Sequence, residues 1–303
     1  MGHLRKIITI GFLLLATSLS FDSNATVMVA HKGQWKDFIY PQNSLQSLQA
    51  AVDAGFRGIE FDLHMSKDGD LILSHDEGLK AVSNCKGKVK DTLTQDLKNC
   101  ILDKNTLLSI GQLVLKKVQK PSPMVDLVTV LKVVGTNPQV EMIWLDHKIN
   151  NPEMALASLT RALDQLRELV TPEAFQSVFA KLILNSQENE VLKLSKKIYP
   201  DLKTSLEGKF GAEPIRDRVR YLGLMRAHDY ISLNVSVPLG HGPLLTTLFR
   251  KKKFRRLLED FMIDANKRGV PVIAWTENQL KDITYFKTLG FAYLLTDIPG
   301  LSH

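Results

Sequence analysis

Short runs of strand-forming residues recur through the chain, most of them followed by a stretch with helical spacing. They are TVMVAH (26 to 31), GIEFDLH (58 to 64), EMIWLDHKI (141 to 149), KLILNS (181 to 186), KTSLEG (203 to 208), YISLNVS (230 to 236), PVIAWT (271 to 276) and AYLLTD (ending at 297). Parallel strands need a crossover of a dozen or more residues, usually a helix, so strand-helix alternation predicts an α/β fold with a parallel sheet. Eight such units in a chain of 303 residues fit a (β/α)8 TIM-type barrel, for which roughly 250 residues are typical. A doubly wound open sheet would produce a similar pattern. LILSH (71 to 75) is an additional short strand. The tight Lys67-Asp68-Gly69 turn before it allows a short hairpin or loop excursion after the second barrel strand, but no crossover helix. No repeat, low-complexity tract or linker divides the sequence, so one domain over residues 26–303 is expected.

The first 25 residues are a separate segment. Arg5 and Lys6 precede the apolar run IITIGFLLLATSLSF, and Ser23-Asn24-Ala25 fits a small-x-small cleavage pattern, which together predict a signal peptide and an exported, periplasmic or secreted, mature chain. Export gives meaning to Cys85 and Cys100. In an oxidising compartment the pair can close a short loop as a disulfide, two free thiols being the alternative. The formal net charge of +7 is mildly basic and lessens once Arg5 and Lys6 leave. Its densest run is RKKKFRR (250 to 256), on a segment where Phe254, Leu257, Leu258, Phe261, Met262 and Ala265 follow helical spacing. That predicts a solvated helix face, with transient contact to an anionic membrane surface as the second reading. Without any nucleic-acid-binding module the run does not point to DNA or RNA. Nothing in the sequence points to a protein partner.

Side chains alternate along a strand, so Glu60, Asp62 and His64 share one face while Ile59, Phe61 and Leu63 pack on the other. Likewise Trp144, Asp146 and Lys148 oppose Ile143, Leu145 and His147. The acids then point into the barrel, where clustered carboxylates repel and lose hydration unless a cation compensates. Glu60, Asp62 and Asp146 are therefore candidate ligands of a divalent metal, Mg2+ or Ca2+, as all-oxygen donors favour a hard ion. Lys148 alone, in a structural ion-pair network, is the other way to balance them. His31 and His75 end strands at the expected carboxy-terminal rim, the face that supplies catalytic groups in such barrels, and two imidazoles can serve as general acid and base. His64 is a further member of the acidic face, and His147 is expected to be structural. Trp35, Phe38 and Tyr40, in the loop after His31, either line the site, touch lipid or pack on the rim. Trp275 and Asn278 are better placed for the pocket, and the Trp275 ring suits a choline-like cation.

In order and spacing, AHKG, PQNS, IEFDLHMSKDGDLILSHD, WLDHK, AWTEN and LLTDIP resemble the motifs of the glycerophosphodiester phosphodiesterase family from residue 30 to about 300. The resemblance implies a TIM-type barrel, a divalent metal held by Glu60, Asp62 and Asp146, and acid/base work by His31 and His75. It also implies phosphate contacts from Lys32 and Lys148, and a small phosphodiester substrate resembling glycerophosphocholine, hydrolysed to sn-glycerol 3-phosphate and an alcohol. Lys32 stands where the family usually has arginine, keeping the charge without the bidentate fork. Gln42 and Asp146 stand where it usually has glutamate. The Asp-x-Lys form beside Trp144 is also similar to the related sphingomyelinase D enzymes, so a sphingomyelinase D or lysophospholipase D-like activity is the alternative. A barrel that binds phosphodiesters without cleaving them is a third reading.

Overall fold

The computed structural model describes residues 26–109, 112–207, 223, 227–235 and 244–298. The expected leader, residues 1–25, lies outside the described residues, as do Gly208 and Ser236 at the ends of two expected strands. The strands in chain order are β1 (Val27–His31), β2 (Gly58–Met65), β3 (Leu71–Leu73), β4 (Ile101–Ser109), β5 (Gln112–Pro123), β6 (Met142–His147), β7 (Leu182–Ser186), β8 (Lys203–Glu207), β9 (Tyr230–Asn234), β10 (Val272–Trp275) and β11 (Tyr293–Thr296). Eight of them pair in parallel in the order β1-β11-β10-β9-β8-β7-β6-β2, and a further β1–β2 pairing closes the ring. An open doubly wound sheet has two unpaired edges, so closure decides for the (β/α)8 barrel.

The helices are α1 (Leu45–Asp53), α2 (Thr94–Lys98), α3 (Leu127–Val130), α4 (Pro152–Leu169), α5 (Pro172–Lys181), α6 (Asn189–Ile198), α7 (Leu244–Lys267) and α8 (Leu280–Thr288). Local sequence sets several starts. The Ser44 hydroxyl accepts from Ser47 N–H at 3.0 Å ahead of α1, while Asn151 and Thr171 cap α4 and α5 with proline in the first turn. Outward residues such as Ile59, Phe61, Leu63, Ile143 and Leu145 form the main core with the surrounding helices. Inward residues divide by height. Val29, Met142, Trp144, Ile183, Ile273 and Leu295 fill the lower barrel as an apolar plug, and Gly58 leaves the room that Val29 occupies, since a Cβ there would lie 2.7 Å from the Val29 Cγ2. Above the plug, towards the carboxyl ends of the strands, the inward positions turn polar.

The excursion after β2 is larger than the sequence pattern suggests. β3 returns antiparallel to β2, with Leu63 opposite Leu73, and Gly69 takes φ +94° in the turn. The chain then runs through α2 to β4 and β5, which pair with each other as a separate two-stranded sheet. Cys85 and Cys100 are joined by a disulfide, beside a small satellite core of Ile72, Leu79, Val82, Val89, Leu97, Leu102 and Met124. On α7, Leu258, Phe261, Met262 and Ala265 are buried as their spacing predicts, whereas Leu257 is exposed. Arg255, from the basic run, bonds Asp282 at 2.5 Å and lies over the Tyr285 ring, tying α7 to α8.

Candidate active site

The parallel register builds the site. His31 on β1 lies beside Glu60 on β2, and Asp62 on β2 beside Asp146 on β6, which in turn neighbours Asn185 on β7. One carboxylate oxygen from each of Glu60, Asp62 and Asp146 lies within 4.8 Å of the others. Lys148, just past the end of β6, pairs with Asp146 and reaches Asp62 Oδ1 at 3.0 Å. Asp62 is further fixed by Asn43, whose amide donates to Oδ2 at 2.9 Å and accepts from Asp62 N–H at 3.1 Å. Glu60 Oε2 accepts the Lys32 backbone N–H at 2.8 Å, and Lys32 Nζ stands 4.0 Å from Asp62 Oδ2.

That backbone contact depends on an unusual local conformation. Lys32 and Gly33 have φ of +61° and +77°, and a Cβ at Gly33 would meet the Ser47 carbonyl carbon at 2.6 Å. Glycine alone fits the second position. The left-handed pair turns the chain so that the Lys32 N–H faces the Glu60 carboxylate.

Charge is unevenly compensated. Burial pushes the Glu60 pKa well up, and the Asp62 and Asp146 carboxylates push the same way. Burial also works to raise Asp62, but Lys148 and then Lys32 outweigh it and hold it below the usual carboxylate range. Burial would lower the Lys148 pKa, yet Asp146 and Asp62 raise it. Lys148 pairs with Asp146 and Asp62 and not with Glu60 among the described residues. A carboxylate trio with one unneutralised member, all oxygen donors and all inward, suits a hard divalent cation held by Glu60, Asp62 and Asp146.

His31 joins this group. Its Nδ1 is 2.6 Å from Asp297 Oδ1, and its Nε2 faces Glu60 Oε2 at 3.9 Å. Asn278 fixes Asp297 by donating to Oδ2 at 2.7 Å and accepting from the Asp297 N–H at 2.8 Å. Burial would raise Asp297, but the adjoining His31 and the Asn278 bond keep its pKa low. Burial pulls the His31 pKa below 6.5 against the pull of Asp297.

His75 is placed differently. The β3 return brings Ser74 N–H to the Asp62 carbonyl at 3.1 Å, but the His75 side chain is 42% exposed and pairs with Asp76 at 3.3 Å. It therefore stands on the rim, beside the carboxylates and not among them. His64 sits below it, its Nε2 3.2 Å from the His75 carbonyl.

Trp275 points inward at the end of β10, with a buried indole N–H that has no hydrogen-bond partner among the described residues. Asn278 serves Asp297 and not the pocket. Trp35 is buried and donates to the His31 carbonyl at 2.9 Å, clamping its loop. His147 is buried on the outer face, as its strand position predicts.

The sequence profile of the Glycerophosphoryl diester phosphodiesterase family matches residues 31–301. The chain belongs to this family. A glycerophosphodiester phosphodiesterase of Caldanaerobacter subterraneus subsp. tengcongensis is 36% identical over 73 residues, which cover 24% of this chain and 29% of that relative. A human lysophospholipase D, GDPD1, is 22% identical across 89% of this chain and 83% of its own length. Among solved structures, a glycerophosphoryl diester phosphodiesterase of Silicibacter pomeroyi superposes with a TM-score of 0.68 at 17% identity, covering 91% of each chain. An Oleispira antarctica phosphodiesterase, solved with the product sn-glycerol-3-phosphate, gives 0.60 at 17% identity, covering 90% of this chain and 94% of that one.

Within this member of the glycerophosphoryl diester phosphodiesterase family, four polar residues went unassigned in the strand-by-strand reading: Asn43, Asn185, Glu207 and Asp297. Asn43 and Asp297 lie inside PQNS and LLTDIP, so their motifs carried a signal without a role. Glu207, at the end of β8, had only its inward strand parity. Its carboxylate accepts from Asn185 at 2.8 Å and Gln187 at 2.7 Å, and the same Asn185 amide donates to Asp146 at 3.2 Å. Burial and the charge of Asp146 push the Glu207 pKa up to about 7.

Proposed function

We propose that the protein hydrolyses glycerophosphodiesters to sn-glycerol 3-phosphate and an alcohol, with a divalent cation, Mg2+ or Ca2+, held by Glu60, Asp62 and Asp146. The observation that carries this reading is the carboxylate trio facing a His31–Asp297 pair at the barrel mouth. Family membership over residues 31–301 supports it.

A bound cation would supply Lewis acidity, polarising a phosphoryl oxygen and offsetting its charge. The protein supplies the rest. Asp297 accepts the Nδ1 proton of His31, which leaves Nε2 as the atom that takes or gives a proton over the carboxylates. His75, on the rim, performs the complementary transfer, so one imidazole deprotonates the nucleophile and the other protonates the departing alkoxide. That nucleophile is water or a neighbouring hydroxyl of the substrate. Lys148 and Lys32 add positive charge beside the phosphate, and the Trp275 indole contacts the leaving group, with a choline-like head as the suited cation. The expected leader supports an exported setting.

A lysophospholipid substrate is the second reading, favoured by the extended similarity to human lysophospholipase D. Release of choline or glycerol phosphate from glycerophosphocholine, abolished by a chelator and restored by Mg2+ or Ca2+, is the expected result. Turnover of lysophosphatidylcholine in preference would move the assignment to the second reading, and no metal-dependent turnover of either would leave a binding barrel.

A further inference from the structure

The β4–β5 hairpin is not used by the proposed chemistry, and its sequence is unlike the rest of the excursion. From residue 104 to 123 it reads KNTLLSIGQLVLKKVQKPSP, with four lysines and no acid. The strand register places its apolar residues at one end, with Leu107 opposite Val114 and Leu108 opposite Leu113, while Asn105–Lys116 and Lys104–Lys117 pairs follow towards the base. Four successive pairs, from Thr106–Leu115 to Ser109–Gln112, span roughly 10 Å at about 3.4 Å per residue.

The lysines next to this end are open to solvent. Lys116, Lys117 and Lys120 are exposed, and none forms an ion pair among the described residues. Lys116 Nζ lies 4.0 Å from the centroid of the Phe38 ring and Lys120 Nζ 5.4 Å from that of Tyr40. Lys104 is engaged by the Ser83 carbonyl at 2.7 Å.

The base of the hairpin is fastened to the active-site loop. Gln119 and Lys120 N–H groups donate to the Phe38 and Ile39 carbonyls at 2.8 Å each. Asn105 donates to the Trp35 and Tyr40 carbonyls at 3.1 and 3.2 Å and accepts from Gln42 N–H at 2.7 Å. That loop carries Lys32 and Asn43, which hold Glu60 and Asp62. The base of the hairpin is therefore fixed beside the mouth of the barrel.

We propose that the outer half of this hairpin is a docking element for an anionic phospholipid surface. By register Leu107, Leu108, Leu113, Val114 and Leu115 lie at its outer end, and Lys116, Lys117 and Lys120 are the collar that meets lipid phosphates. An apolar end with basic residues behind it is the arrangement that binds a membrane interface, where apolar groups enter by about 5–10 Å. The hairpin has the length for that depth. It does not have the means to go further: two paired strands leave unpaired backbone groups along both outer edges, which the hydrocarbon region does not tolerate. Docking this way holds the barrel mouth at the lipid surface. The docking is independent of the reaction proposed above, and only its consequence, access to substrates drawn from the lipid surface, rests on that reading.

The test is sedimentation of the full chain with phosphatidylcholine vesicles containing phosphatidylglycerol, and with vesicles of phosphatidylcholine alone. The wild type is expected to bind the anionic vesicles, more weakly at high salt, and the neutral ones poorly. A Leu108→Ser/Leu113→Ser variant is expected to lose about tenfold or more in partition, and Lys117→Gln/Lys120→Gln about fivefold per lysine. Both should retain wild-type turnover of soluble glycerophosphodiesters and the wild-type unfolding midpoint. Variants that bind as the wild type does would overturn the proposal and place the binding outside the hairpin, in the leader or the basic run 250–256. A wild type left in the supernatant, equal binding to neutral vesicles, or self-association abolished by the leucine changes would also overturn it. Vesicle binding without turnover of any phosphodiester would leave the docking standing and remove only the proposed function.

Discussion

His31 and Asp297 illustrate what a residue gains from its neighbours. An isolated imidazole distributes its proton between two nitrogens, whereas the 2.6 Å contact of Nδ1 with Asp297 selects the tautomer that keeps Nε2 free as an acceptor. Asp297→Asn keeps the shape but offers an amide that favours the wrong tautomer or the wrong rotamer. The expected outcome is a fall in kcat of about 10²- to 10⁴-fold, with the unfolding midpoint little changed; steady-state kinetics on glycerophosphocholine check it, and unaltered kcat would remove Asp297 from the mechanism. Glu60, Asp62, Asp146 and Lys148 were legible as candidate site residues from strand parity and motif order together, His31 from its place at a strand end and its motif, and Lys32 from its motif alone. Asp297 was legible only as part of a motif, since its purpose is a contact with a residue 266 positions away. Glu207 carried no motif at all, and only the closed ring of strands brings Asn185 between it and Asp146.

At the scale of elements, the barrel strands were readable because each alternates between a plug or site residue and a helix-facing apolar one. The Lys-Asp-Gly turn and the β3 return were readable from turn chemistry. The β4–β5 hairpin was not, for its strands pair only with each other and its apolar residues are grouped instead of alternating. The disulfide was expected as one of two states, because loop spacing does not fix geometry. The bond closes a loop with a sequence separation of 15, beside a satellite core too small to be stable alone. A Cys85→Ser/Cys100→Ser protein is expected to lose about 3 kcal/mol within the excursion, read as earlier proteolysis of residues 74–126 and a lower first transition in thermal unfolding. An unchanged proteolysis pattern would show that β3 and the satellite core hold the excursion unaided.

For the molecule as a whole, stability depends on pH through buried histidines outside the site. Burial drives His147 down to about 4 from the usual 6.5, and does the same to His228, with Lys196 adding to the effect. The unfolded chain then binds more protons than the folded one between about pH 6.5 and about pH 4. The stability contributed by the neutral rings is complete above 6.5 and is lost as pH falls through that window, at most about 3 kcal/mol per residue. Denaturant unfolding near neutral pH and near pH 4 is expected to show this loss, and His147→Asn to reduce it; an identical loss in the variant would assign the acid sensitivity elsewhere. The sequence by itself determined the strand and helix order, the inward face of each strand and the family, because periodicity and motif spacing are local properties of the chain. Only the tertiary structure decided that the sheet closes. Closure sets residues from β1, β2, β6, β7 and β8 and from the segment after β11 around one opening, and so it decided which acids lack a counter-charge, which distant carboxylate stands behind His31 and where the basic hairpin stands. These are distances between residues far apart in sequence, and no local pattern encodes them.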